Sequence, residues 1–326
     1  IDAPPSKSYT QRALIISSLA NGKSVIKIPL FSDDTEYMIS ALKKFGVSIV
    51  KKHRNLIVHG SGGSIKVPKG PIFAGNAGTA MRFLTAFACL ANGETEITGD
   101  KRMRQRPIKD LLDALEQLGI KSESSDGCPP VKINGGTFNG GSINLQGNTS
   151  SQYLSAVLMC APYAKKDTSI TISGDLTSKP YIDITLEVMK NFGINVKNIN
   201  YKKFGVNVGE YKACICKIEG DASSASYFFA AAAVTKGKVR VNNINPSSKQ
   251  GDIGFVKILE RMGCIVGKGK DYIEVRGSAL KSIDVDMNSM PDTVPTLAVT
   301  SIFADGATSI KNASNLRHKE TDRLKA

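Results

Sequence analysis

Several things are scarce in this 326-residue sequence, and each scarcity excludes something. No apolar run approaches the ~18 residues of a membrane span, which argues against a transmembrane helix. "IDAPPSKSYT" at the start has no signal-peptide pattern. The six cysteines (Cys89, Cys128, Cys160, Cys214, Cys216, Cys264) are scattered, with no CxxC pair. They read as free thiols of a reducing, cytoplasmic compartment rather than a disulfide or metal set. Only three histidines occur, His53, His59 and His318, too far apart in sequence for a ligand cluster. No metal is expected. Neither GxGxxG nor GxxxxGK[ST] appears, so dinucleotide and P-loop sites have no signature. Acidic residues are also short: 29 Asp and Glu against 43 Lys and Arg leave a net charge of +14. Aromatics are 6%, and no basic stretch is interleaved with them, which weighs against a nucleic-acid surface. The surplus charge is either a solvated lysine surface, as in "ALKKFG", or a basic cleft for small anions.

What is present is ordinary in bulk and unusual in arrangement. The chain is 41% hydrophobic and 22% charged, and its length fits two domains. "LANGKSVI", "LANGETEI", "YAKKDTSI", "VTKGKVRV" and "FADGATSI" end at 26, 97, 170, 241 and 310. A second series, "ALKKFGVSI", "ALEQLGIKS", "VMKNFGINV" and "ILERMGCIV", places glycines at 46, 119, 193 and 263. Two series with one period of about 70 residues define a repeated unit. Its first helix is almost wholly apolar ("ALIISSLA", "FFAAAAV"), as in a buried helix. Its second is amphipathic. In "ITLEVMKNFG", Ile184, Leu186, Val188, Met189 and Phe192 face inward, Glu187 and Lys190 face water, and Gly193 supplies the left-handed stop. Short β-branched strands such as "TSITI" and "YIEVR" follow, so the unit reads βαβαββ.

The apolar helices begin with "PPSKSYTQRAL", "GNAGTAMRFL", "NTSSQYLSA", "GDASSASYF" and "MPDTVPTLA". Small polar residues there are what N-caps require. They are also what an anion needs at a helix N-terminus, where free N–H groups point outward.

Together with "RMRQRPIKDLLDALEQLG", "SKPYIDITLEVM" and "NLRHKETDRL", these stretches resemble the 5-enolpyruvylshikimate-3-phosphate synthase family, in order and across essentially the whole chain. The resemblance implies an α/β fold of two domains, each of three βαβαββ units, with helix N-termini facing an interdomain cleft. Residues 6–219 would form a complete three-unit domain, and 220–326 units four and five of a truncated second one. Residues 1–5 would be the hinge between them. The fifth unit's second helix is expected to start in "KETDRLKA", and the natural protein to continue beyond it.

The resemblance also implies a reaction. The enolpyruvyl group of phosphoenolpyruvate passes to the 5-hydroxyl of shikimate 3-phosphate, with release of phosphate and no cofactor. Both partners are small anions, and a monomer binding neither nucleic acid nor membrane is implied. Lys7, Asp292 and Glu320 would be catalytic: Asp292 takes the hydroxyl proton, while Glu320 or Lys7 acts on the methylene. Lys7, Ser8, Arg12, Ser150, Ser151, Gln152, Ser178, Tyr181, Asp292, Asn315 and Lys319 would contact shikimate 3-phosphate. Lys7, Asn76, Gly78, Arg106, Gln152, Lys319 and Arg323 would contact phosphoenolpyruvate. The family's inhibitor glyphosate would fill the space left by Gly78. In "KETDR", Lys319 and Arg323 are four apart, a like-charge pair on a helix that calls for an anion between them. Phe83 stands where many members have Pro. UDP-N-acetylglucosamine enolpyruvyl transferase is the alternative of the same fold, with Cys128 in a loop as its reactive thiol. A basic nucleic-acid-binding module is the alternative of another class.

Overall fold

A computed structural model describes residues 1–326, apart from the side chain of His318. Its nine α-helices are α1 (Lys7–Leu19), α2 (Asp33–Lys44), α3 (Gly78–Ala88), α4 (Lys109–Glu116), α5 (Ser151–Cys160), α6 (Lys179–Asn191), α7 (Ala222–Val234), α8 (Phe255–Arg261) and α9 (Val294–Ser301). The odd-numbered ones are the apolar helices and the even-numbered ones the amphipathic. Each amphipathic helix ends at its repeat glycine. Gly46, Gly119, Gly193 and Gly263 have φ of 91°, 90°, 92° and 112°, a left-handed region that side chains resist.

Three four-stranded sheets share one plan. In the second, Ile72–Phe73 runs parallel to Glu94–Thr98, which pairs antiparallel with the hairpin of Cys128–Asn134 and Lys121–Ser125. In the third, Gly141–Gln146, Thr168–Ser173, Lys203–Val206 and Val196–Ile199 repeat that order. In the first, Lys23–Lys27, Asn55–His59 and Ser48–Lys52 fit it too, but the opening strand comes from far along the chain. It is Ile215–Lys217, parallel to Lys23–Lys27. Unit four shows the reciprocal loan. Asp2 bridges Asn242 in the sheet of Lys238–Asn242, Tyr272–Arg276 and Ile265–Lys268.

The buried side chains fall into two clusters. One runs from Tyr9 to Ile218, and the other joins Ala3 to residues between Ala225 and Leu316. The chain crosses between them twice, side by side. Pro5 bridges Gly220, Ser6 N–H donates to Glu219 O at 2.8 Å, and Asp221 N–H donates to Pro4 O at 2.7 Å. Gln250 fastens both crossings. Its Nε2 donates to Gly220 O and Glu219 Oε1, both at 2.8 Å, and its Oε1 accepts from Ser6 Oγ at 3.1 Å.

Four expectations fail locally. Helix α3 packs on both α1 and α5, and all three are buried along nearly their whole length. Helix α7 packs on α9 and is less well covered: Tyr227 and Phe228 stay 62% and 41% exposed. Glu187 does not simply face water: it is half-buried and accepts a hydrogen bond from the Tyr9 hydroxyl. Cys128 begins a strand rather than sitting in a loop. The tail is not the expected helix. Ser314–His318 is a 3-10 turn, Lys319 is extended, and a single turn closes at Asp322. That turn is held by Asp322 Oδ1, which accepts from the N–H groups of Leu324 and Lys325. One turn of backbone bonds does not repay helix nucleation, and the side chains of this segment bind Asp292 and, through Glu320, Arg106 instead.

Candidate active site

Charged and polar side chains of the segments around both clusters meet in a cleft of about 860 Å³. All the residues expected at a site line it except Asn76 and Gly78, which touch Arg106 just behind. The helix starts explain this convergence. Side-chain caps form at only two of the five apolar helices: Ser150 Oγ accepts from Gln152 N–H, and Asp221 Oδ1 from Ser224 N–H. At α1, α3 and α9 the N-cap residue's own side chain makes no such bond, so their first N–H groups are left for other partners.

At the start of α1, Lys7 N–H donates to Asp221 Oδ2 at 3.2 Å, a carboxylate at a helix N-terminus. The Lys7 ammonium pairs with Asp34 at 3.1 Å. Burial alone would lower its pKa, but Asp34, with Glu320 and Asp292 beyond it, holds it above the ordinary lysine range. Ser8 follows, and one turn on stands Arg12, 1% exposed. Its partners are all neutral: Thr185 Oγ1 at 2.7 Å, Ser8 O and Tyr181 O at 3.0 Å, and Ser155 Oγ at 3.3 Å. Burial lowers its pKa to about 10, which leaves it charged at neutral pH.

The start of α5 contributes Ser150, Ser151 and Gln152, whose Nε2 donates to Thr79 Oγ1 at 3.2 Å. Ser178 precedes α6 in a left-handed conformation, φ 54°, unusual for a residue with a side chain. The Tyr181 hydroxyl, one turn later, donates to Asp292 Oδ2 at 2.7 Å. Burial, then Asp252 and Asp292, raise the Tyr181 pKa well above its ordinary value.

Two carboxylates hold the cations. Asp292 Oδ1 lies 3.2 Å from Lys319 Nζ and 2.9 Å from Arg323 Nη1. The anion between those like charges is a protein side chain, the Asp292 carboxylate. Burial would raise the Asp292 pKa, but Lys319 and Arg323 outweigh it and hold the group well below the carboxylate range. Glu320 accepts from Arg323 Nη2 at 2.8 Å and lies 3.5 Å from Arg106 Nη2. Burial opposes the shift there too, but Arg106 first, then Arg323 and Lys319, bring Glu320 down to about 2. Arg106 is also bound to Asn76, through O at 3.0 Å and Oδ1 at 3.2 Å, and burial first, then Arg82, lowers its pKa to about 10. Asn315 completes this wall, its Oδ1 buried without a partner among the described residues.

Sequence reasoning missed four groups. Arg82, 4% exposed in the cleft wall, and Asp221 stood in quoted motifs without a role. Asp34 resembles the acidic first turn of any helix. Asp252 gave no signal at all. It is buried, accepts from Ser223 Oγ, and sits 3.5 Å from the Tyr181 hydroxyl. Burial first, then Asp292, pushes its pKa up to about 7. Among the described residues no His, Cys, Asp and Glu side chains cluster as a metal site.

Several arginines and lysines set against carboxylates, in one cleft where the repeated βαβαββ units meet, define a site for small multiply charged anions. The chain belongs to the EPSP synthase (3-phosphoshikimate 1-carboxyvinyltransferase) family, whose pattern it matches over residues 1–326. It is 46% identical over 332 residues to the 3-phosphoshikimate 1-carboxyvinyltransferase of Pseudoalteromonas translucida, covering 100% of this chain and 78% of that protein. The Proteus mirabilis protein of that name is 48% identical over 335 residues, with the same coverage. Among solved structures, EPSP synthase from Acinetobacter baumannii superposes with a TM-score of 0.83 at 26% identity, over 100% of this chain and 76% of that one.

Proposed function

We propose that this cleft transfers the enolpyruvyl group of phosphoenolpyruvate to the 5-hydroxyl of shikimate 3-phosphate, releasing phosphate, with the residues above in the roles their family resemblance gives them. The observation that carries the reading is the gathering of Lys7, Arg12, Arg106, Lys319 and Arg323 around Asp292 and Glu320. Each substrate brings a phosphate and a carboxylate, and these cations match them. Arg12, buried with neutral partners only, takes the shikimate carboxylate with Ser8. Ser150, Ser151, Ser178, Asn315 and Lys319 take its phosphate. Asn76, Gly78, Arg106, Gln152 and Arg323 surround phosphoenolpyruvate.

The pKa shifts suggest an order of events. Lys7 carries a proton while Asp292 and Glu320 are held without one, so Lys7 is the donor to the methylene carbon, although its pairing with Asp34 raises its pKa and must loosen before it gives that proton up. Asp292 is a poor base while Lys319 and Arg323 grip it. Substrate phosphates draw those cations away, and the Asp292 pKa rises toward the range a general base needs. It then accepts the 5-hydroxyl proton as oxygen attacks C2. In the second step Glu320 removes a proton from the methyl group so formed, the C2=C3 double bond returns, and the C2–O bond breaks to release phosphate. No metal or organic group is needed for either step.

We further assign residues 6–219 to one domain and 220–326 to a second, with residues 1–5 joining them. The two buried clusters support that division. A cytoplasmic monomer completes the proposal: no described helix is long and apolar enough to cross a membrane, and all six cysteines are unpaired. Burial raises the Cys128 thiol above its ordinary pKa, the opposite of what a reactive cysteine in the UDP-sugar alternative needs. The test is phosphate release from phosphoenolpyruvate, saturable in shikimate 3-phosphate. Turnover with UDP-N-acetylglucosamine instead, or salt-steep DNA binding without turnover, would overturn the reading.

A further inference from the structure

Arg12 poses a physical problem that the rest of the cleft does not. Its guanidinium is almost fully buried, and taking a lone cation out of water costs several kcal/mol unless something offsets it. Four of its five N–H groups go to neutral oxygens, which leaves one for a ligand. A carboxylate neighbour would be the usual solution. Here it would also neutralise the charge and compete with an incoming carboxylate. The fold supplies a different neighbour. The Arg12 Cζ lies over the ring of Phe83, 5.2 Å from its centroid. Phe83 belongs to α3, is 0% exposed and does not reach the cleft surface.

We propose that Phe83 is a positioning residue for Arg12, its ring face supporting the guanidinium while leaving the positive charge uncompensated for the shikimate carboxylate. This rests on the assignment of Arg12 to that carboxylate. The negative face of an aromatic ring attracts a cation without carrying net charge. It also fixes the plane of a guanidinium, which stacks where an ammonium would not. Arg12 is thereby anchored by its oxygens at the edge and by the ring at its face. Phe83 touches no substrate and acts only through Arg12.

Phe83 also fills the core, so replacing it by Leu mixes two effects. Fluorination separates them, because ring fluorines withdraw electron density from the face and change the shape little. The experiment places mono-, di- and trifluorophenylalanine at position 83 of the whole chain and measures shikimate 3-phosphate affinity by calorimetry. The expected result is a stepwise loss, about 2- to 30-fold across the series. The KM for phosphoenolpyruvate at saturating shikimate 3-phosphate and the melting temperature stay level. Phe83→Tyr, which keeps the ring face, retains most of the affinity where it folds. A flat series overturns the proposal. Arg12→Gln in parallel tells the two ideas apart. If it weakens shikimate 3-phosphate while the fluorinated series is flat, only the role of Phe83 falls. If Arg12→Gln leaves that affinity unchanged, the assignment of Arg12 falls and the role of Phe83 with it.

Discussion

Substituting Ala for Gly78 adds one methyl group where the structure has no room for it. A Cβ built on Gly78 lies 2.3 Å from Arg106 Nη2 and 2.8 Å from both Cζ and Nη1. Ordinary contact begins near 3.4 Å, so the guanidinium must retreat by about 1 Å. Arg106 cannot do so freely, being 3% exposed and bound to Asn76 at 3.0 and 3.2 Å. A shift of that size breaks one or both of these bonds and moves the cation away from any anion it was placed to meet. A hydrogen bond to a charged group contributes about 1.5–3 kcal/mol, which is about 10- to 100-fold in affinity. The backbone should not object. Gly78 opens α3 outside the left-handed region, and Ala is preferred to Gly in a helix. The assay is the initial rate of phosphate release with phosphoenolpyruvate varied at saturating shikimate 3-phosphate. The expected result is a KM for phosphoenolpyruvate raised at least about tenfold, with shikimate 3-phosphate affinity and melting temperature unchanged. Glyphosate inhibition should weaken by more than that KM rises. An unaltered KM in a normally folded variant would refute the placement of Arg106 at phosphoenolpyruvate.

Three further outcomes are expected. Glu320→Gln should lower kcat by about 100-fold or more while sparing shikimate 3-phosphate affinity; a loss confined to affinity would make Glu320 a binding group. Asp252 titrates at about 7 in the folded protein against an ordinary 3.8, so it contributes stability at low pH that is lost as pH rises between those values. Asp252→Asn should remove that loss, and unfolding midpoints from pH 4 to 8 that fall as in the parent chain would contradict it. Cations of the segments around both buried clusters face the cleft, so the two anionic substrates together should shrink the radius of gyration in small-angle scattering, and an unchanged radius counts against closure.

Local chemistry was legible in the sequence, and partnership across the chain was not. The period of the repeat was readable because glycines at 46, 119, 193 and 263 must each supply a left-handed stop. The reciprocal loan of strands was not, since Ile215–Lys217 looks like any short strand and its pairing with Lys23–Lys27 is a matter of topology. The Lys319–Arg323 spacing suggested a helix face, yet what satisfies both cations is Asp292, far away in sequence. Asp34 and Asp252 were invisible for the same reason, their meaning lying in Lys7 and Tyr181. The exposed face of α7 escaped notice because apolar composition says that a helix seeks cover, not which of its faces receives it.

The double crossing between the two cores has a mechanical consequence. A single linker lets one body twist and bend about another in any direction. Two adjacent strands, cross-bonded at Ser6–Glu219, Pro5–Gly220 and Pro4–Asp221 and fastened by Gln250, behave as a door hung on two pins. Torsion would stretch one passage against the other, so the movement left is a swing about one line. Lys7 follows that line directly, where the lever arm is shortest. A swing about that line would move the Lys7 ammonium little and Asp292, Lys319 and Arg323 far, so the group proposed as the acid would be in place before the rest of the site.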